Sequence, residues 1–341
     1  EYALESSGNV RDEVLLKELN HTTDEKMKSI ISTIQKEQNR IIRNEKAETL
    51  IIQGAAGSGK TSIALHRIAY LLYRFQDRLR SREVTILSPN KVFGDYISNV
   101  IPELGEEPIS GTSLSDIAHH QLEKVIGFLP EEDPLKKMDK GRAERIRFKS
   151  SMRFLRLINE YKIQLPYAVF SPEEYCFGVF HVTKEWIRAR FLAYDGQPVK
   201  RRLELAAEDI LERLRTENIR EETLPRIPQI RKSLEAMLII KNPLAVYKDF
   251  YIKMGIADFF VMPAAKTLAW EDVFPFLYLY GVFEGFRENS ITKHLVIDEM
   301  QDYTPVQFAV LNEMFRCPKT ILGDFGQFIN CLLYTSDAAD D

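Results

Sequence analysis

The chain has 341 residues, of which 45% are hydrophobic and 28% are charged, and its formal net charge is -4. This length suits roughly two domains, and the composition is that of a globular protein and excludes a disordered one. The slightly negative charge excludes a global basic field, so a surface that binds nucleic acid must be local. No apolar run reaches the ~18 residues of a membrane helix, and no signal peptide is evident.

Three cysteines, Cys176, Cys317 and Cys331, lack C-x-x-C spacing. This pattern points away from zinc and disulfide frameworks and favours the reducing environment of the cytoplasm. The pair His119-His120 has no ligand partners at suitable spacing, so we expect no metal site there. The chain does not begin with Met, and we interpret it as a fragment.

A glycine-rich segment at residues 54–61 fits the pattern G-x-x-x-x-G-K-[ST] without a mismatch. The apolar run 49–52 before it predicts a buried parallel strand, and the spacing of apolar residues over 62–75 predicts a helix. In such a strand, loop and helix, backbone N–H groups and the helix N-terminus hold a phosphate. Lys60 would reach the β- and γ-phosphates, and the Thr61 hydroxyl would ligate Mg²⁺. The predicted nucleotide-binding residues here are Gly54, Ala55, Ala56, Gly57, Ser58, Gly59, Lys60, Thr61 and Ser62.

Further strands are expected in the same sheet. Residues 84–87 predict a strand after the helix, which gives a right-handed β-α-β unit and a parallel sheet. Residues 294–297 predict another apolar strand, which delivers Asp298 and Glu299 at its carboxyl end. Asp298 would hold Mg²⁺ opposite Thr61, and Glu299 would orient and deprotonate the attacking water.

Four other polar residues are candidates beside this core. Gln327 follows a predicted strand at 320–324 and could sense the γ-phosphate through its amide. The Gln38 amide could read an adenine edge, although the polarity of glutamine alone favours a solvent-exposed position on a helix. Ser88 and Asn90 fall at the end of a strand, where they are equally compatible with a second ligand and with a turn.

The segment 120–265 differs from the rest in being helix-rich and strongly charged, which predicts an inserted helical subdomain. Within it, residues 136–156 carry nine Lys or Arg against only two acids, with Phe148 and Phe154 between them. A basic stripe with aromatic residues suits a phosphate backbone, but a solvated helix face explains it too.

Several segments together resemble superfamily 1 helicases of the UvrD/Rep type. Residues 298–302, Asp-Glu-Met-Gln-Asp, resemble motif II, and residues 323–327, Gly-Asp-Phe-Gly-Gln, resemble motif III. Residues 88–91 are similar to motif Ia, 111–119 more loosely to motif Ib, and 267–272 to the acidic motif before motif II. Gln38 stands where that family has its adenine-reading glutamine, so the resemblance implies ATP.

Within this group, the chain is most similar to HelD-like proteins, also called helicase IV-like. The stretches that carry this resemblance are 12–19, 33–43 and 64–73. It implies an α/β P-loop NTPase whose RecA-like domain 1A is interrupted by a mainly helical domain 1B. The expected parts are a helical lead-in at 1–44, domain 1A at 45–119 and 266–330, domain 1B at 120–265, and a tail at 331–341.

The resemblance also implies partners and an activity. HelD-type proteins of Gram-positive bacteria bind RNA polymerase and use ATP and Mg²⁺ to release it from DNA, and their relatives unwind DNA with 3′-to-5′ polarity. The family's second RecA-like domain, which supplies arginines to the γ-phosphate, is not expected after Gln327, so the chain alone should turn over ATP poorly. Residues 331–341 do not continue the family pattern and are interpreted as foreign sequence.

Three hypotheses follow from these motifs. The first is an ATPase that releases and recycles RNA polymerase, the second is a DNA helicase that translocates on single strands, and the third is an ATP-binding module without turnover.

Overall fold

The computed structural model describes residues 36–55, 57–89, 109–131, 139–216, 223–287 and 291–324. Two compact units divide them. The first takes in the described residues up to 117 and those in 289–303 and 315–324, and the second takes in those in 118–287 and 304–314. Within the described ranges, no helix is long and apolar enough to cross a membrane.

The described helices and strands are numbered in chain order. The α-helices are α1 (Lys36–Ile42), α2 (Lys60–Arg74), α3 (Leu114–Leu122), α4 (Lys140–Lys149), α5 (Met152–Val169), α6 (Lys184–Ala193), α7 (Val199–Thr216), α8 (Ile227–Ala236), α9 (Pro243–Lys253), α10 (Trp270–Phe283) and α11 (Pro305–Met314). The strands are β1 (Thr49–Gln53), β2 (Val84–Leu87), β3 (Ser110–Thr112), β4 (Gly127–Phe128), β5 (Tyr175–Phe177), β6 (Phe180–Val182), β7 (Thr267–Leu268), β8 (His294–Ile297) and β9 (Lys319–Gly323).

The first unit contains a five-stranded parallel sheet with the strand order β1-β9-β8-β2-β3. The expected α/β class with a parallel sheet is therefore confirmed. Every residue of β8 is buried, because an interior strand of a parallel sheet is covered on both faces. The expected burial of the strand at 49–52 was wrong, since burial alternates along β1: Ile52 is buried, whereas Ile51 is 55% exposed.

Helix α2 supplies the apolar core of this unit on one side of the sheet. Leu65, Ile68 and Leu72 pack with β2 and with Val296 of β8. Ile63 and Ala64 form a second cluster, whose other members are Ile42, Ile52 and Leu322. Burial of one such aliphatic side chain contributes about 1.5–3 kcal/mol, so this packing fixes where α2 begins relative to the strand ends.

The second unit is mainly helical. Helix α10 is buried along nearly its whole length, which explains why its sequence is apolar on all sides. A parallel pair joins β4 to β7, and β5 and β6 form an antiparallel hairpin. The division of the chain into domains 1A and 1B stays a prediction.

Candidate functional site

The loop between β1 and α2 has a backbone that glycine suits. Gly57 and Gly59 have φ angles of 75° and 82°, in the left-handed region that side chains disfavour. A Cβ atom on Gly54 would lie 2.4 Å from Oγ of Ser58. The Gly54 N–H donates to the carbonyl of Gly323 (3.3 Å), which ties the start of the loop to the end of β9.

The Lys60 ammonium is held by this loop. Its Nζ donates to the carbonyl oxygens of Gly54 (2.6 Å) and Ala55 (3.0 Å). Thr61 and Ser62 follow in the first turn of α2 and are half-buried. A cation, a loop rich in backbone N–H groups and a helix N-terminus are thus together at the end of β1, a combination that suits an anion.

Two carboxylates follow β8 at the same edge of the sheet. Asp298 is buried, and its N–H continues the pairing of β8 with β2 by donating to the carbonyl of Leu87 (2.9 Å). Glu299 has φ 51° and ψ 50°, a left-handed conformation that is uncommon for a residue with a side chain. Such conformations are concentrated at functional sites, where the surrounding structure holds them.

The electrostatics of this edge favour a bound cation. Burial and then the Glu299 charge raise the pKa of Asp298 to about 6, while the Lys60 charge acts in the opposite direction. Burial and the Glu299 charge also raise the pKa of Asp302, whose Oδ1 is buried and accepts no hydrogen bond from the described part of the chain. A divalent cation would offset this excess of negative charge and satisfy carboxylate oxygens.

Gln301 connects the ends of β8 and β9. Its Nε2 donates to Oε2 of Glu299 (2.6 Å), and its Oε1 accepts from the N–H of Asp324 (3.0 Å). A Cβ atom on Gly323 would collide with Cγ of Met300, so a larger residue at 323 would require Met300 to shift. Gln301 therefore fixes the orientation of the Glu299 carboxylate.

Buried polar side chains near the site form a connected set of hydrogen bonds. The Arg67 guanidinium donates to Oγ1 of Thr320 (3.1 Å) and to backbone carbonyls at the end of α1, Ile42 (3.1 Å) among them. Nε2 of His294 lies 3.0 Å from the same Thr320 oxygen. Through Arg67, the sheet and α2 are joined to α1, the helix that carries Gln38.

The chain matches no protein-family model, and no curated protein is significantly similar to it. The assignment of a function therefore rests on the residues and on their geometry.

The predicted site residues are only partly brought together by this geometry. Lys60 binds the loop, its charge acts on Asp298, and Glu299 adjoins Asp298. Gln38 lies in α1 and is half-buried. Ala56 and Gln327, as well as Asn90, lie outside the described residues.

Residues 136–138 of the basic stripe lie outside the described residues; the remainder, 139–156, is divided between α4 and α5, and two of its members belong to the core. Lys149 is buried and forms a 2.7 Å ion pair with Asp272. The Phe154 ring is also buried, so it does not offer an exposed platform for a base. Three arginines, Arg147, Arg153 and Arg156, are exposed.

Gln301 and Arg67 have structural roles that the sequence motifs do not indicate. A signal for Arg67 existed, because it lies on the same helix face as Ile63, Ala64 and Ile68, where an arginine needs buried partners. Nothing local predicts the contact of Gln301 with Asp324, since Asp324 follows another strand, β9.

His294 should make the protein less stable in acid. Burial and then the Arg67 charge lower its pKa from 6.5 to about 4. Because the unfolded state takes up this proton first, the free energy of unfolding should fall by up to about 3 kcal/mol as the pH falls through this window. In denaturant unfolding, His294→Gln should lose less stability than the wild type between these pH values.

The exposed His120 offers the matched control, His120→Gln, which removes a histidine but leaves the buried His294 and Arg67 in place. Parallel stability curves for the wild type and His294→Gln would contradict the prediction.

Asp298→Asn should stabilise the metal-free protein. The raised pKa of Asp298 means that the fold disfavours its charge, so removing the charge should add up to about 3 kcal/mol to the free energy of unfolding at pH 7. The gain should be complete above the folded pKa of about 6 and should vanish as the pH falls to 3.8. Denaturant unfolding in the presence of a chelator, at pH 7 and at acidic pH, measures the gain and its disappearance. Asp77→Asn, at an exposed position, is the control, and a loss of stability at pH 7 would contradict this account.

Proposed function

We propose that the chain contains the ATP-binding motor domain of a HelD-like ATPase, which releases RNA polymerase from DNA and recycles it. The first unit would be a P-loop domain of the RecA-like type that binds ATP and Mg²⁺, and the protein would act in the cytoplasm. The observation that carries the ATP-binding part of the proposal is the arrangement of Lys60, Asp298 and Glu299 at the carboxyl edge of one parallel sheet. The release of RNA polymerase rests on the resemblance of residues 12–19, 33–43 and 64–73 to HelD-like proteins. Ligands of open α/β sheets bind at this edge.

The strand order supports this assignment. Strand β9 separates β1 from β8, and adjacent strands lie ~4.8 Å apart, so the ends of β1 and β8 are about 10 Å apart. Such a gap suits a terminal phosphate with a hydrated Mg²⁺. The cationic group of Lys60 would lie on one side of it and the carboxylates on the other.

Each residue at this edge has a distinct role in the proposed reaction. Lys60 and the loop N–H groups hold the β- and γ-phosphates, and Thr61 and Asp298 hold the cation. When bound, Mg²⁺ supplies neutralisation of the charge on the transferred phosphoryl group. Glu299 orients the attacking water and takes its proton, with its carboxylate positioned by Gln301.

Two further glutamines belong to the proposal. Gln38 would read the adenine edge through its amide, and α1 would hold it near the nucleotide through the hydrogen bonds of Arg67. Gln327, three residues beyond Asp324, would sense the γ-phosphate.

An alternative function is a 3′-to-5′ DNA helicase or translocase of the UvrD/Rep type. The exposed arginines at 147 on α4 and at 153 and 156 on α5 favour it, because exposed cations suit the phosphates of single-stranded DNA.

A pull-down of RNA polymerase with the intact protein, without nucleic acid, distinguishes the two functions. Stoichiometric capture would support polymerase release. A failure to capture polymerase, together with ATPase activity stimulated by single-stranded DNA, would overturn it in favour of the helicase. A variant with Arg147, Arg153 and Arg156 replaced by Glu is the control, since it should lose stimulation by DNA and keep any capture of polymerase.

A further inference from the structure

The hairpin of β5 and β6 brings three metal-binding side chains together on one face. Cys176 and His181 are directly paired across the two strands, and Glu174 lies two residues before Cys176. Paired residues are neighbours on one face of a sheet, and the Glu174 carboxylate lies beside His181 although Glu174 precedes β5. Tyr175 and Val182 form the adjacent pair and are buried, so the opposite face of the hairpin packs against the rest of the protein.

Two of the three distances between the donor atoms match a zinc coordination shell. Nδ1 of His181 lies 3.3 Å from Sγ of Cys176 and 3.4 Å from Oε2 of Glu174. All three donor atoms lie within 4.8 Å of one another. In a tetrahedral site with Zn–N, Zn–O and Zn–S bonds of ~2.0–2.3 Å, the N···O and N···S edges are about 3.4 and 3.6 Å. The N···S and N···O distances in the hairpin are thus already close to the edge lengths of such a tetrahedron.

We propose that Glu174, Cys176 and His181 form a Zn²⁺ site, with water as the fourth ligand. A thiolate and an imidazole favour zinc over Mg²⁺ and Ca²⁺, which prefer oxygen ligands alone. On binding, the Cys176 thiol releases its proton to solvent and the sulfur bonds to the metal. The thiolate and the carboxylate balance the charge of the ion, so the site is neutral. His181 and Glu174 are about half exposed, which gives the ion access.

This site differs from what the sequence predicts, because the cysteine spacing points away from zinc. The pattern Glu-x-Cys-x₄-His acquires its meaning only when the hairpin pairs position 176 with position 181. The bound ion would connect β5 to β6 across the turn at Gly178, whose φ is 60°. It would therefore stabilise the hairpin against opening.

Titration of the full chain with Co²⁺, a spectroscopic substitute for Zn²⁺, tests the proposal. Excess Mg²⁺ is present throughout to occupy the oxygen-rich sheet edge. We expect a thiolate-to-cobalt charge-transfer band that saturates at one equivalent and disappears on addition of Zn²⁺. The band should be absent in Cys176→Ser, and His181→Ala should weaken cobalt affinity at least about tenfold. Cys317→Ser, Cys331→Ser and His120→Ala are matched controls that should behave as the wild type.

A second measurement separates binding at this site from misfolding. Zn²⁺ should raise the melting temperature of the wild type but not that of Cys176→Ser. Without metal, the two proteins should melt at the same temperature, because Cys176 is exposed. The absence of a charge-transfer band in the wild type, or a band that survives in Cys176→Ser, would overturn the proposal.

Discussion

Lys60→Ala in the intact protein should abolish ATP turnover. The ammonium lies on the carbonyls of Gly54 and Ala55, within the loop that would surround the β- and γ-phosphates. Loss of a preorganised charge of this kind lowers kcat by about 10²–10³-fold, and weaker nucleotide binding adds to the effect. Steady-state phosphate release under saturating Mg·ATP measures the result.

Lys46→Ala is the matched control for Lys60→Ala, because Lys46 is an exposed lysine of the same unit. The control should keep wild-type turnover. The Lys60 variant should also keep its fold, since the hydrogen bonds described for its Nζ go to two carbonyls of the adjacent loop and to no residue of the apolar core. Turnover by a folded Lys60→Ala variant at the wild-type rate would remove this loop from the mechanism.

Glu299→Gln should separate nucleotide binding from hydrolysis. The substitution removes the base but leaves an amide oxygen that can still accept from Nε2 of Gln301, so the local geometry should persist. Loss of a general base lowers the rate by about 10²–10⁴-fold. We expect ATP to remain bound and uncleaved after rapid gel filtration, whereas the wild type should release ADP and phosphate.

Two further variants test whether the effect is specific to Glu299 and whether Gln301 contributes to it. Glu48→Gln changes an exposed glutamate of the same unit and should hydrolyse ATP normally. Gln301→Ala should keep the base but release its carboxylate, so its kcat should fall less than that of Glu299→Gln while nucleotide affinity stays the same. Normal hydrolysis by Glu299→Gln would show that another group activates the water.

Local patterns of the sequence were sufficient for much of the first unit. The strand before the glycine-rich loop, the helix after it and the apolar strand that ends at Asp298 were all predicted, and each is present. These features can be predicted because glycine spacing, helical periodicity and apolar runs act over a few residues.

The supporting contacts of the site could not be predicted in the same way. Arg67 and Thr320 are 253 residues apart, and the strand order alone brings them together. Gln301 meets Asp324 only because β8 and β9 are neighbours, although the chain between them forms a helix. Composition and spacing carry no information on such pairings, which depend on the tertiary fold.

The average charge of the basic stripe does not reveal which of its residues are exposed. Its charge density and aromatic residues suited either a phosphate backbone or a solvated helix face, yet Ser151 caps a new helix within it by accepting from the N–H of Phe154. The chain turns there, and Lys149 pairs with Asp272 in the interior, so not every cation of the described residues 139–156 is exposed.

Calorimetric titration of the chain with ATP, with and without Mg²⁺, tests the central claim most directly. The arrangement of Lys60, Asp298 and Glu299 predicts one site per chain, a clear gain in affinity with Mg²⁺, and loss of binding in Lys60→Ala. Saturable binding that is unchanged by Mg²⁺ and by Lys60→Ala, or no binding at all, would contradict the assignment of this sheet edge as an ATP site.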